Sequence, residues 1–147
     1  MIRMKDLLRS APAWSAAVLV TTAAGSMVQS WQVQAGLSRL GVDIPPALAA
    51  DTAMRDFTGL LVPLLLVFGL ALLLGFAVAG WLRQRLPRLA LLAWPIAGAA
   101  AIAITLLLMH LQFEMTPLAG ARGLDGFLLF CAAGGLGGLV YAWLRPE

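Results

Sequence analysis

One stretch dominates the hydrophobic pattern: residues 57–82 (FTGLLVPLLLVFGLALLLGFAVAGWL), 26 positions without a charged side chain. As a helix it covers about 39 Å at 1.5 Å per residue, more than the ~30 Å hydrocarbon core of a bilayer. A water-soluble domain has almost no way to bury such a run on every side. Three further apolar runs accompany it, separated by short polar connections. The pattern predicts transmembrane helices over about 12–30, 58–82, 89–112 and 126–144. The expected fold is an all-α membrane protein of one domain. It is an antiparallel bundle of four transmembrane helices with a short amphipathic extracytoplasmic segment.

The first run follows a basic segment, as a secretory signal would, but residues 10–38 hold 29 uncharged positions, too many for a signal's apolar core. Pro12 is expected in the first turn of this helix, where a missing N–H costs little. Thr22, Ser26 and Gln29 recur on one face and form a polar stripe. Two readings stay open for it: interhelical hydrogen bonding, or the lining of a path for a solute or ion. Beyond it, Val33, Leu37 and Leu40 keep helical spacing up to a stop at Gly41. Pro45 and Pro46 then interrupt the chain, and residues 47–56 are expected to restart as a short helix. Asp51 and Arg55 stand at i,i+4 within it.

Pro63 lies about two turns into the second run, where it bends a helix. Small residues recur at i+4 in the second run (Ala71, Gly75, Ala79) and in the third (Ala93, Ala97, Ala101, then Thr105). The fourth carries a GxxxG, Gly134 and Gly138, with Cys131 and Ala142 extending the thin face. Such faces let helix backbones approach closely in lipid. Asp125 is placed to cap the fourth helix, and Thr116 with Pro117 to start a short turn before it.

Composition agrees with a membrane protein: 61% hydrophobic and 12% charged residues over 147 positions, with mean hydropathy +0.91. The pI near 10.0 does not argue for nucleic acid, because the cations gather where helix ends leave the membrane. Nine of ten are Arg, which with heavy Ala, Leu and Gly use suggests a GC-rich bacterial source. Both termini and the 83–88 turn carry seven cations against two acids; the opposite connections carry three against five. The positive-inside rule therefore places both termini in the cytoplasm of an inner (plasma) membrane protein. Trp14, Trp31, Trp81, Trp94 and Trp143 fall near span ends, as interfacial anchors do.

Candidate chemistry is sparse. His110 and Glu114 share a helix face, but a metal site needs three or four ligands, so no metal is expected. A single histidine excludes bis-histidine haem within one chain. Cys131 sits in an apolar run that disfavours its thiolate, and no serine occupies a nucleophile elbow. The four runs hold no Asp, Glu, Lys or Arg at bilayer depth, which argues against a proton- or cation-driven carrier. Arg39, Arg55, His110, Glu114, Arg122 and Asp125 make the candidate outer-face site for a head group, substrate or partner.

The leading expectation is a non-enzymatic subunit or scaffold that packs through its Gly/Ala faces against copies of itself or a larger membrane protein. The alternatives are an oligomeric channel or facilitator using Thr22, Ser26 and Gln29, and a lipid- or head-group-binding protein acting at the outer face. The bilayer is the one partner composition demands, and no cofactor is implied.

Overall fold

The computed structural model describes residues 4–86, 88, 90–114 and 118–145. Arg3, Pro87, Glu147 and the expected turn at Thr116 and Pro117 lie outside them. Among the described residues there are four long helices, α1 Met4–Arg39, α2 Pro46–Arg85, α3 Ala90–Phe113 and α4 Leu124–Leu144, with a 3-10 turn at Ala119–Ala121. All four are long and apolar enough to cross a membrane, and they pack as a bundle.

The surface is inverted relative to a soluble bundle. Large apolar side chains point outward along α2, α3 and α4, for example Leu66, Leu70, Leu91 and Leu108. Among the described residues the buried polar side chains are Thr21, Thr22, Ser26, Gln29 and Ser30, all from α1. Hydrocarbon can solvate leucine but not hydroxyl or amide groups, so the least apolar helix turns its polar face inward.

The core forms two stacked layers. Toward the arm, beside the α3–α4 connection, Leu64, Phe68, Ile102, Leu106 and Phe130 pack together with Leu118 and Ala121. Phe68 meets Phe130 edge-on, ring centroids 6.2 Å apart, and Gly25 leaves room for both rings: a Cβ there would lie 2.9 Å from Phe68. Toward the basic turn, Phe76, Trp94 and Tyr141 stack around Ala13, Ala17 and Leu72. Such ring pairs add about 0.5–1.5 kcal/mol each beyond their buried area.

Helix lengths are unequal. At 1.5 Å per residue α3 and α4 run about 36 and 32 Å, a bilayer's depth, while α1 and α2 run about 54 and 60 Å. The excess of α1 and α2 forms a two-helix arm beyond the end of the four-helix bundle. Three expectations are corrected here. The segment 47–56 is not a separate short helix but the first turns of α2. Pro46 opens the helix at a position that needs no N–H, and no glycine or further proline follows before Gly59 to stop it. Pro12 lies two turns inside α1 rather than in its first turn, because the helix-forming residues before it extend the helix back to Met4. Asp125 does not cap α4. Gly123 occupies the cap position without a side-chain bond, and Asp125 sits in the first turn, where its charge complements the helix dipole.

The stop at Gly41 is observed. With φ +79°, Gly41 closes α1: its own N–H bonds the Ser38 carbonyl at 3.1 Å and the Val42 N–H bonds the Leu37 carbonyl at 3.2 Å. That pair of bonds is a Schellman cap, which satisfies two carbonyls that the helix leaves over.

Candidate functional site

The polar interior of α1 leads to the root of the arm, where the long connections converge. Gln29 is 92% buried and uses its Oε1 to accept the Gly120 N–H at 2.8 Å, across 91 residues of sequence. A backbone N–H can be met only by the carboxamide oxygen, so this bond fixes the orientation of the amide. The approach is close. A Cβ on Gly120 would lie 2.7 Å from Gln29 Oε1 and 2.9 Å from Gln29 Cα. At the next residue Ser30 Oγ donates to Asp56 Oδ2 at 3.3 Å, and further out Gln34 Nε2 donates to the Ala49 carbonyl at 3.1 Å. These bonds tie α1 to the 3-10 turn at its base and to α2 along the arm.

The rest of the α1 stripe lies deeper. Thr22 and Ser26 are buried, and Thr22 Oγ1 has no hydrogen-bond partner. Thr21, absent from the sequence-derived set, is fully buried as well; its Oγ1 is also unpartnered and packs against Gly137. Its signal was present in the sequence as a ladder of small residues at i+4, Ala13, Ala17, Thr21 and Gly25. Hydroxyls elsewhere bond their own helix: Thr105 Oγ1 donates to the Ala101 carbonyl at 2.8 Å and Ser15 Oγ to the Ala11 carbonyl at 2.9 Å.

The outer-face candidates are spread over the arm and its root. Arg39 ends α1 at the arm's tip, ten residues or about 15 Å beyond Gln29. Arg122, by contrast, follows the 3-10 turn at Gln29's level. Arg55 pairs with Asp51 at 2.8 Å, both exposed, an arrangement worth a few tenths of a kcal/mol. His110 and Glu114 are exposed at the end of α3, where Glu114 takes the left-handed conformation (φ 56°) that glycine usually supplies. Asp125 is exposed in the first turn of α4. Among the described residues no three His, Cys, Asp or Glu side chains come together as a metal site requires.

The small-residue faces are used between helices of this one chain. Gly134 backs onto Gly98: a Cβ on Gly134 would lie 2.5 Å from the Gly98 carbonyl oxygen. Gly138 is pressed against Trp94 and Pro95, and Gly137 against Ala17 and Thr21. Gly75 faces Ala97 and Ala101, and Ala71 and Ala79 are buried on the same side of α2.

The arm itself exposes apolar side chains. Leu40 is 80% and Leu48 54% exposed, and Val42 and Met54 are also largely uncovered. No family model, curated protein or solved structure matches this chain.

Proposed function

We propose that this protein is a small, non-enzymatic inner-membrane subunit or scaffold, with both termini cytoplasmic and the α1–α2 arm as its contact surface for another protein. The arm carries the reading. Leu40, Val42 and Leu48 are exposed on and beside the α1–α2 connection, and on the reading that the four-helix bundle spans the bilayer this end lies outside the hydrocarbon. Apolar patches in water are generally covered by something. The Gly134 and Gly138 face is occupied by Gly98, Trp94 and Pro95 within the bundle, which leaves the arm as the better site for a second copy or a larger membrane protein. A conduit along Thr22, Ser26 and Gln29 is the weaker reading, since Gln29 is already held by Gly120.

The test is the mass of the particle extracted gently from membrane. The 15.5 kDa chain is expected in a larger assembly, and Leu40→Glu with Leu48→Glu is expected to release a folded monomer. A wild-type particle of one chain plus lipid would sink the reading. For orientation, Gln84→Cys in a Cys131→Ser background is expected to resist a membrane-impermeant maleimide in intact cells, while Asp43→Cys, exposed in the α1–α2 connection, reacts. The reverse pattern would turn the topology over.

A further inference from the structure

Between α2 and α3 the bundle leaves an open groove of ≈ 500 Å³ on its lipid-facing side. Its origin is the facing of two small-residue ladders. Gly75 and Ala79 look across at Ala97 and Ala101, so the backbones meet at the floor and no large side chain fills the space above. The one hydroxyl in the wall, Thr105, is bonded to its own helix, which leaves the interior almost wholly hydrocarbon. From Ala71 to Leu86 on α2 the groove runs about 22 Å. That exceeds the ~15 Å depth of one leaflet's hydrocarbon.

The groove ends in charge. Leu82, Arg83 and Leu86 form its mouth, on the turn that also carries Arg85 and Arg88. Arg85 is engaged over the Trp81 ring, 5.7 Å from its centroid, and Arg145 over Trp94 at 4.8 Å. Arg83 makes no ion pair among the described residues and is exposed at the mouth. The nearby Trp81, 60% exposed, marks the level of the lipid head groups.

We infer that this groove is a binding site for one anionic phospholipid, its acyl chain lying along the Gly75/Ala97 floor and its phosphate on Arg83. Shape selects a chain. A groove of ≈ 500 Å³ over about 22 Å has a mean cross-section of about 23 Å², the scale of a hydrocarbon tail and well below that of a helix about 10 Å across. Charge selects the head group, because basic pockets between membrane helices on the cytoplasmic side favour anionic lipid. The site lies at the end of the bundle opposite the arm and does not depend on the arm's role.

The experiment is native mass spectrometry of the full chain equilibrated with equal amounts of phosphatidylglycerol and phosphatidylcholine bearing the same acyl chains. The wild type is expected to retain one phosphatidylglycerol with about fivefold preference, the scale of one cation at a membrane surface. Arg83→Gln should bring the two lipids level. Ala100→Leu, at an exposed position in the groove wall, should lower retention of both while the fold stands. Arg39→Gln, at the far end of the molecule, should change nothing. Equal retention of the two lipids by the wild type, a preference that survives Arg83→Gln, or retention indifferent to Ala100→Leu would each overturn the assignment.

Discussion

Gly134→Ala and Gly138→Ala are each expected to destabilise the bundle by about 3 kcal/mol, while Gly135→Ala, between them in sequence, leaves it standing. The three substitutions add the same methyl group to the same helix, and only the surroundings differ. At Gly134 the new carbon meets the Gly98 carbonyl at 2.5 Å and Ile102 Cγ1 at 2.5 Å; at Gly138 it runs into the Trp94 carbonyl oxygen and lies 2.7 Å from Pro95 Cα. Backbone cannot rotate aside, so α3 and α4 must separate along their length and forfeit dispersion contact that lipid tails do not fully replace. At Gly135 the nearest atoms are the Pro95 carbonyl oxygen at 3.7 Å and Ala99 Cβ at 3.9 Å, ordinary contact distances. Helix propensity there favours alanine by about 1 kcal/mol. Thermal unfolding in detergent, followed by circular dichroism, reads the difference. A bundle of unchanged stability that loses only its oligomeric mass would move these glycines to an interface between chains and contradict the packing described.

How far the sequence revealed this arrangement depended on whether a feature was local. Four hydrocarbon-compatible runs, the stop at Gly41 and the small-residue ladders are periodic or capping signals contained within one turn or one helix, and they were legible. The continuity of α2 was harder to read. Pro45 and Pro46 looked like a break, but proline at a helix's first position starts it, and the Asp51–Arg55 pair then sits in an uninterrupted ladder. Which face a ladder turns to which helix was not legible at all. The spacing of Gly134 and Gly138 is the same whether the facing backbone is Gly98 of this chain or a second copy. Asp125 failed as a cap because Gly123, two residues earlier, already begins the helix. The polar stripe on α1 was visible from its spacing, but its main partner, Gly120, is 91 residues away in a connection with no periodic signal.

The polar interior and the apolar exterior follow from one constraint. Every backbone amide and carbonyl below the membrane surface must find a partner within the protein, whereas the buried hydroxyls of Thr21 and Thr22 go without one. On α2 and α3 that demand is met within each helix, and the outer faces are free to be leucine. On α1, Gln29 and Ser30 reach out of the helix instead, to Gly120 and Asp56, at the level where the four-helix bundle gives way to the two-helix arm. The bonds of Gln29 and Ser30 thus serve the place where connections, rather than helices, must be fixed in position.

Gln29→Leu tests that role directly. The substitution leaves the Gly120 N–H buried without an acceptor, at a cost of about 1–3 kcal/mol, and frees the 3-10 turn from α1. Protease cleavage and amide exchange are expected to rise across residues 118–123 of the α3–α4 connection, with little change in α2. Gln34→Leu, which removes a half-buried bond within the arm, should cost less than about 1 kcal/mol and leave that connection protected. Gly120→Ala presses on the same contact from the other side, so its effect and that of Gln29→Leu should fall short of additive when combined. A clamp and a conduit separate cleanly in this set. If Gln29 lined a path, its loss would alter solute flux into liposomes and spare stability. If it holds the connection down, stability and protection fall together and flux stays where it was.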